Sequence, residues 1–301
     1  MSTETQTVVS SETPKALNQD YKHLTPEDVE HFLTKGWLRV PGAIKEEYID
    51  KWMKDLWTRV DYDEHDKSTW HTEYLHLPRH REVPAEEFAP EAWNKIIEIC
   101  GGEDRIDPVR ERYYGDAFIV NFGTKDRTTQ DKEASPQDMD GWHTDDDWYR
   151  MFLDSSGNAL TVIHVFTDIP PRGGGTWVCE DGLEGVVKYL PYVLNRSDGN
   201  YSLLEQVILR NLGRESLPEF KTTRGRKFWY PRNAGFKRAK AEAELQRMLA
   251  AAKAKGLDES SVDSIYLRRG TKEFEEFERH NGFDKEVNVE NGLLMEQHKL
   301  L

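Results

Sequence analysis

Gly141-Trp142-His143-Thr144-Asp145-Asp146-Asp147-Trp148 is the stretch on which the reading of this chain turns. On an extended strand, residues two apart face the same way, so His143 and Asp145 project together and Thr144 turns aside. An imidazole beside a carboxylate supplies two of the three ligands of the 2-His-1-carboxylate facial triad, which holds non-haem Fe(II) and leaves positions open. A His-x-Asp triplet is common by chance, and taken alone it reads as a solvated acidic turn beside a histidine. The flanks change that reading. Upstream lies the apolar run Ala117-Phe118-Ile119-Val120-Asn121-Phe122-Gly123. Downstream lies Leu160-Thr161-Val162-Ile163-His164-Val165-Phe166, whose alternation puts Leu160, Val162, His164 and Phe166 on one face of a strand. A Pro-Pro turn and three glycines follow, and then a shorter strand pattern from Gly175 to Cys179.

Composition narrows the function classes. The chain has 301 residues and a formal net charge of -14. An acidic balance excludes a general nucleic-acid binder, which needs a basic footprint, and disfavours docking on anionic membrane. Two cysteines, Cys100 and Cys179, make no disulfide framework and fit a reducing compartment. No apolar run approaches the length of a transmembrane helix. Met1 to Lys15 is rich in Ser and Thr, lacks the apolar centre of a secretory signal and reads as a disordered tail. A cytoplasmic location is expected.

Local signals place most of the helices. Thr25-Pro26-Glu27-Asp28 is a helix start, with a cap, a proline suited to the first helical position and two acids in the first turn, and Gly36 is a stop. A short strand is expected over 37–40. A second helix spans about 46–60, and a third runs from Glu87 to Cys100, where Gly101-Gly102 ends it. The segment 61–107 reads as irregular, with His71, His76 and His80 scattered over a surface or substrate-facing loop. Helices are expected over about 201–212, 236–255 and 272–280. The basic run Arg224-Gly225-Arg226-Lys227 reads as a solvated loop.

The segment from Leu24 to Gly42, together with His143-Thr144-Asp145, the strand through His164 and Arg172-Gly173-Gly174-Gly175-Thr176 in that order, resembles the phytanoyl-CoA dioxygenase family of Fe(II)/2-oxoglutarate oxygenases. The resemblance covers roughly residues 23–190. It implies an α+β chain with a double-stranded β-helix, a jelly-roll core whose sheets sandwich the iron. With the N-terminal tail and the C-terminal helices read above, three segments are expected: a tail over 1–22, the jelly-roll domain over 23–195 and a helical extension over 196–301. It also implies that 2-oxoglutarate chelates the metal, that O₂ binds beside it and that a C–H bond of a small organic substrate is oxidised. His143 and Asp145 match the family's first two iron ligands. His164 matches an inward position lining the cosubstrate pocket, Thr176 and Trp177 match the next core strand, and Asn121 lies on the strand before the metal pair.

The chain also departs from that pattern. The family has a second metal-binding His well beyond the Asp, and an Arg that pairs with the far carboxylate of 2-oxoglutarate. After His164 this sequence has only His280 and His298, both in the polar helical tail. Arg196, Arg210 and Arg214 are the nearest cations, and none lies on a core-strand pattern. A jelly roll needs about eight strands, and too few follow His143, so the second half of the core reads as missing near Tyr189-Leu190-Pro191-Tyr192. Two ligands hold a divalent ion more weakly than three, so turnover of 2-oxoglutarate at background rate is expected. Open sheet edges would favour self-association. Two other classes compete with the oxygenase: a catalytically dead remnant acting as a binding protein, and a cupin-like metal protein with a replacement ligand.

Overall fold

The computed structural model describes residues 20–109, 111–122, 135–138, 141–143, 145, 160–169, 175–180, 201–215 and 234–281. Residues 1–19 of the expected tail over 1–22, the turn at 172–174, the seam at 189–192 and the basic run at 224–227 lie outside them.

Helix α1 (Pro26–Lys35) forms where its sequence signals put it. Thr25 Oγ1 accepts the Asp28 N–H at 3.1 Å, and the Asp28 carboxylate accepts the Thr25 N–H at 3.1 Å. Two otherwise orphaned donors are thereby satisfied. Gly36 ends the helix in the left-handed region at φ 76°, which a side chain would disfavour.

Two expected helices are broken. The one over 46–60 divides into α2 (Glu46–Met53) and α3 (Leu56–Val60). The break brings Asp55 to Arg81, with Nη1 donating to Oδ1 at 3.1 Å. The one over 87–100 divides into α4 (Ala85–Phe88) and α5 (Pro90–Cys100), because Pro90 lacks an N–H and drives Ala89 to φ −146°.

Strand β1 (Tyr74–His76) pairs antiparallel with β4 (Ile119–Asn121), and β2 (Glu82–Pro84) pairs antiparallel with β3 (Tyr113–Gly115). The segment 61–107, expected to be irregular, thus carries two strands, each too short to show an alternation. The expected strands over 37–40, 160–166 and 175–179 have no ladder partner among the described residues. The expected one-sided burial at 160–166 holds only in part. Leu160, His164 and Phe166 are partly buried, but Val162, expected on the same face, is exposed at 39%, as are Ile163 and Val165 at 59% and 52%.

Helix α6 (Leu203–Leu212) carries its own capping box through Ser202 and Glu205. Arg105 clamps Glu205 with two bonds of 2.9 and 3.0 Å. Helices α7 (Ala234–Ala254) and α8 (Lys272–His280) complete an α+β chain of helices and short antiparallel strands. No described helix is long and apolar enough to cross a membrane.

Three apolar clusters hold these elements. Trp52, Leu56, Val60, Leu77, Phe88 and Phe118 centre the first, onto which Phe166 packs. Phe32, Leu33, Ile99, Leu203 and Val207 join α1, α5 and α6, and Leu160 packs there. Ala241, Leu245, Ile265, Tyr266 and Phe277 join α7 to α8.

Between α3 and α7 lies a closed ionic cluster. Arg59, His80, Asp116 and Glu244 are fully buried. Arg59 donates from Nη1 to Asp116 at 3.0 Å, from Nε to Glu244 at 2.9 Å and from Nη2 to the Pro78 carbonyl at 2.7 Å. Burial on its own would raise the Asp116 carboxyl. Arg59, Arg81, His80 and a backbone N–H outweigh burial and hold it below the usual carboxylate range. His80, expected on a surface loop, is instead a core residue with Nδ1 2.8 Å from Ser264 Oγ. His71 and His76 are exposed as expected, although His76 lies on β1 and not in a loop.

Candidate metal centre

His143 and Asp145 come together without a strand. Gly141 and Asp145 lie in turns, and Trp142 anchors the approach by donating Nε1–H to the Pro136 carbonyl at 2.8 Å. His143 Nδ1 lies 2.7 Å from the Gly141 carbonyl. A carbonyl only accepts, so the proton sits on Nδ1, and in the neutral ring the lone pair sits on Nε2. That nitrogen faces Asp145 Oδ1 at 3.7 Å. The other carboxylate oxygen, Oδ2, accepts a short hydrogen bond from Thr161 Oγ1. Each donor atom that points toward the shared space is therefore oriented by a partner on its far side, the usual arrangement behind metal-binding histidines and carboxylates.

The pair is open to water, with side chains 60% and 44% exposed. It fits a divalent ion as two of its ligands. Among the described residues, no group of three His, Cys, Asp or Glu side chains is arranged to hold one. Thr161 and the Gly141 carbonyl were not singled out in the sequence. Thr161 lies on the face of its segment opposite His164, where alternation gives it no role.

His164 is part of the aromatic core. Its ring meets Tyr114 at 4.3 Å and Phe88 edge-on at 5.1 Å, and its buried Nε2 has no hydrogen-bond partner. Burial, assisted by the charge of Arg79, pushes its pKa down to about 4, so the ring is neutral near pH 7. Asn121 lies on the exposed side of β4 opposite Tyr74, with Val120 turned to the core. Thr176 and Trp177 lie in an exposed stretch without regular secondary structure, Trp177 at 58%. That stretch is tied to α1, since Glu180 accepts from Lys35 at 2.6 Å and from Trp37 Nε1 at 2.9 Å.

Of the cations and histidines weighed as replacements, Arg196 and His298 lie outside the described residues, and Arg210 and His280 are engaged elsewhere. Arg210 pairs with Glu30 at 3.0 Å. His280 stacks on Tyr113 at 3.7 Å and bonds Glu82 at 2.6 Å.

No protein-family model, curated protein or solved structure matches this chain.

Proposed function

We propose that this chain is a non-haem metal protein of the Fe(II)/2-oxoglutarate dioxygenase type, built on a jelly-roll core, that oxidises a small organic substrate. One observation carries the reading: His143 Nε2 and Asp145 Oδ1 face each other at 3.7 Å, with Gly141 and Thr161 fixing the opposite side of each group. The sequence resemblance supplies the reaction class. Bound iron would supply the redox chemistry by which 2-oxoglutarate, O₂ and a C–H bond yield succinate, CO₂ and a hydroxylated product. His143 would hold the ion through Nε2 while its Nδ1–H donates to the Gly141 carbonyl. Asp145 would hold it through Oδ1 while Thr161, donating to Oδ2, fixes the rotamer. With two protein ligands the ion is held weakly, so succinate release close to background is expected from the chain as it stands. The assay is anaerobic loading with Fe(II), then 2-oxoglutarate and O₂, with Asp145→Ala as control. Fast release that Asp145→Ala leaves unchanged would refute the assignment.

A second reading is a binding protein without turnover. It is favoured by the exposed apolar side chains Ile163, Val165, Ile169, Trp177 and Val178, which lie on the segments 160–169 and 175–180. Metal uptake with succinate release no different from that of Asp145→Ala would favour it.

A further inference from the structure

Helix α7 reaches the segment 160–166 through an unbroken run of packed side chains. Glu244, fully buried on α7, accepts from Arg59 Nε at 2.9 Å. The Arg59 guanidinium lies 5.5 Å from the centre of the Phe118 ring. Phe118 meets Phe166 edge to face at 4.8 Å. Phe166 and His164 both pack on Phe88. On the same segment, Thr161 donates to Asp145.

We propose that Arg59 is a positioning residue, through which the docking of α7 by Glu244 sets the pose of segment 160–166 and so of Asp145. The physical cause is the fork of Arg59. Its planar guanidinium is directed by Glu244 on one side and by Asp116 and the Pro78 carbonyl on the other. Arg59 is the principal partner of Glu244. His80 turns its Nε2 to Glu244 at 3.4 Å, longer than a good hydrogen bond, while its Nδ1 meets Ser264 Oγ at 2.8 Å. Without the Glu244 charge, Arg59 Nε is left in a dry interior with a weaker acceptor, and the guanidinium turns toward its remaining partners. Phe118 then loses the cation that fixes its face. In a close-packed interior that displacement passes to Phe166 and along its segment.

The effect on Asp145 rests on the metal reading above, whereas the effect on the segment rests on packing alone. The test is Glu244→Gln, with Glu242→Gln as control, since Glu242 lies on the same helix in an exposed pair with Arg269. The first readout is the His164 imidazole titration followed by NMR, because burial against Phe88 and Tyr114 and the charge of Arg79 set its midpoint. The second is Co(II) affinity. Glu244→Gln is expected to raise the midpoint toward the ordinary histidine value by about one pH unit or more, and to weaken Co(II) binding about tenfold. Glu242→Gln is expected to do neither. If Glu244→Gln does not fold, Glu244→Asp, which shortens the reach, gives the same readouts. An unchanged midpoint in a folded Glu244 variant overturns the inference. Absence of Co(II) binding in the unaltered protein overturns the metal reading instead, and the titration still decides the packing.

Discussion

His164 shows at the residue scale how burial and pH are linked. Its ring is enclosed by Phe88 and Tyr114, and its pKa falls to about 4 from an ordinary 6.5. Between those values the unfolded chain binds a proton that the folded chain does not. The stability His164 contributes is therefore complete above about pH 6.5 and is lost as pH falls toward 4, on the order of 3 kcal/mol in all. Urea unfolding at pH 7 and pH 5 is expected to show that loss, and His164→Leu is expected to flatten it. An equal slope in the variant would mean that another group sets the pH response. At the candidate centre, the i, i+2 spacing made the proximity of His143 and Asp145 legible. Gly141 and Asp145 lie in turns where a strand was expected, and the supports at Gly141 and Thr161 were not legible. A backbone carbonyl carries no sequence signature, and Thr161 is 16 residues from Asp145.

At the scale of elements, legibility follows the range of the signal. The cap of α1 is read directly from Thr25-Pro26-Glu27-Asp28 and the helix forms there, whereas α6 and α8 form close to the expected 201–212 and 272–280, an expectation that did not draw on their caps at Ser202 and Thr271. Ser202 Oγ accepts the Glu205 N–H at 3.3 Å, while the Glu205 carboxylate returns a 2.6 Å bond to the Ser202 N–H. Ser202→Ala is expected to cost about 1 kcal/mol in chemical denaturation. A change within error would mean that Arg105 and the packing of Leu203 fix this end of the helix unaided. Gly101 belongs to the same junction. At φ 83°, a Cβ there would meet the Ser202 Cβ at 2.7 Å, so the glycine that ends α5 also lets α6 start beside it. Strands β1 and β2 escaped notice because three residues cannot display a period of two. The breaks at Asp55 and Ala89 have different origins. Pro90 is a local signal for the second that the helix expected over 87–100 passed over, whereas at the first Asp55 bonds Arg81, 26 residues away.

At the scale of the whole molecule, Arg59 and Glu244 are 185 residues apart in sequence and share a fully buried bond. Neither periodicity nor motif could place them together, since each reads as an ordinary helix-surface charge until tertiary packing buries it. Residues 234–281 meet the earlier part of the chain through this cluster and through His280 and Asn281 on Glu82. Removing either member of the central pair would leave a buried charge exposed to the full cost of desolvation. The account as a whole depends on whether His143 and Asp145 take up metal. The most direct measurement is anaerobic titration with Co(II), read by calorimetry and visible absorption, on the unaltered protein and on His143→Ala, Asp145→Ala and Thr161→Val. One ion per chain is predicted, with binding abolished in the two alanine variants and weakened about tenfold in Thr161→Val. No binding to the unaltered protein, or equal binding to all four, would contradict it.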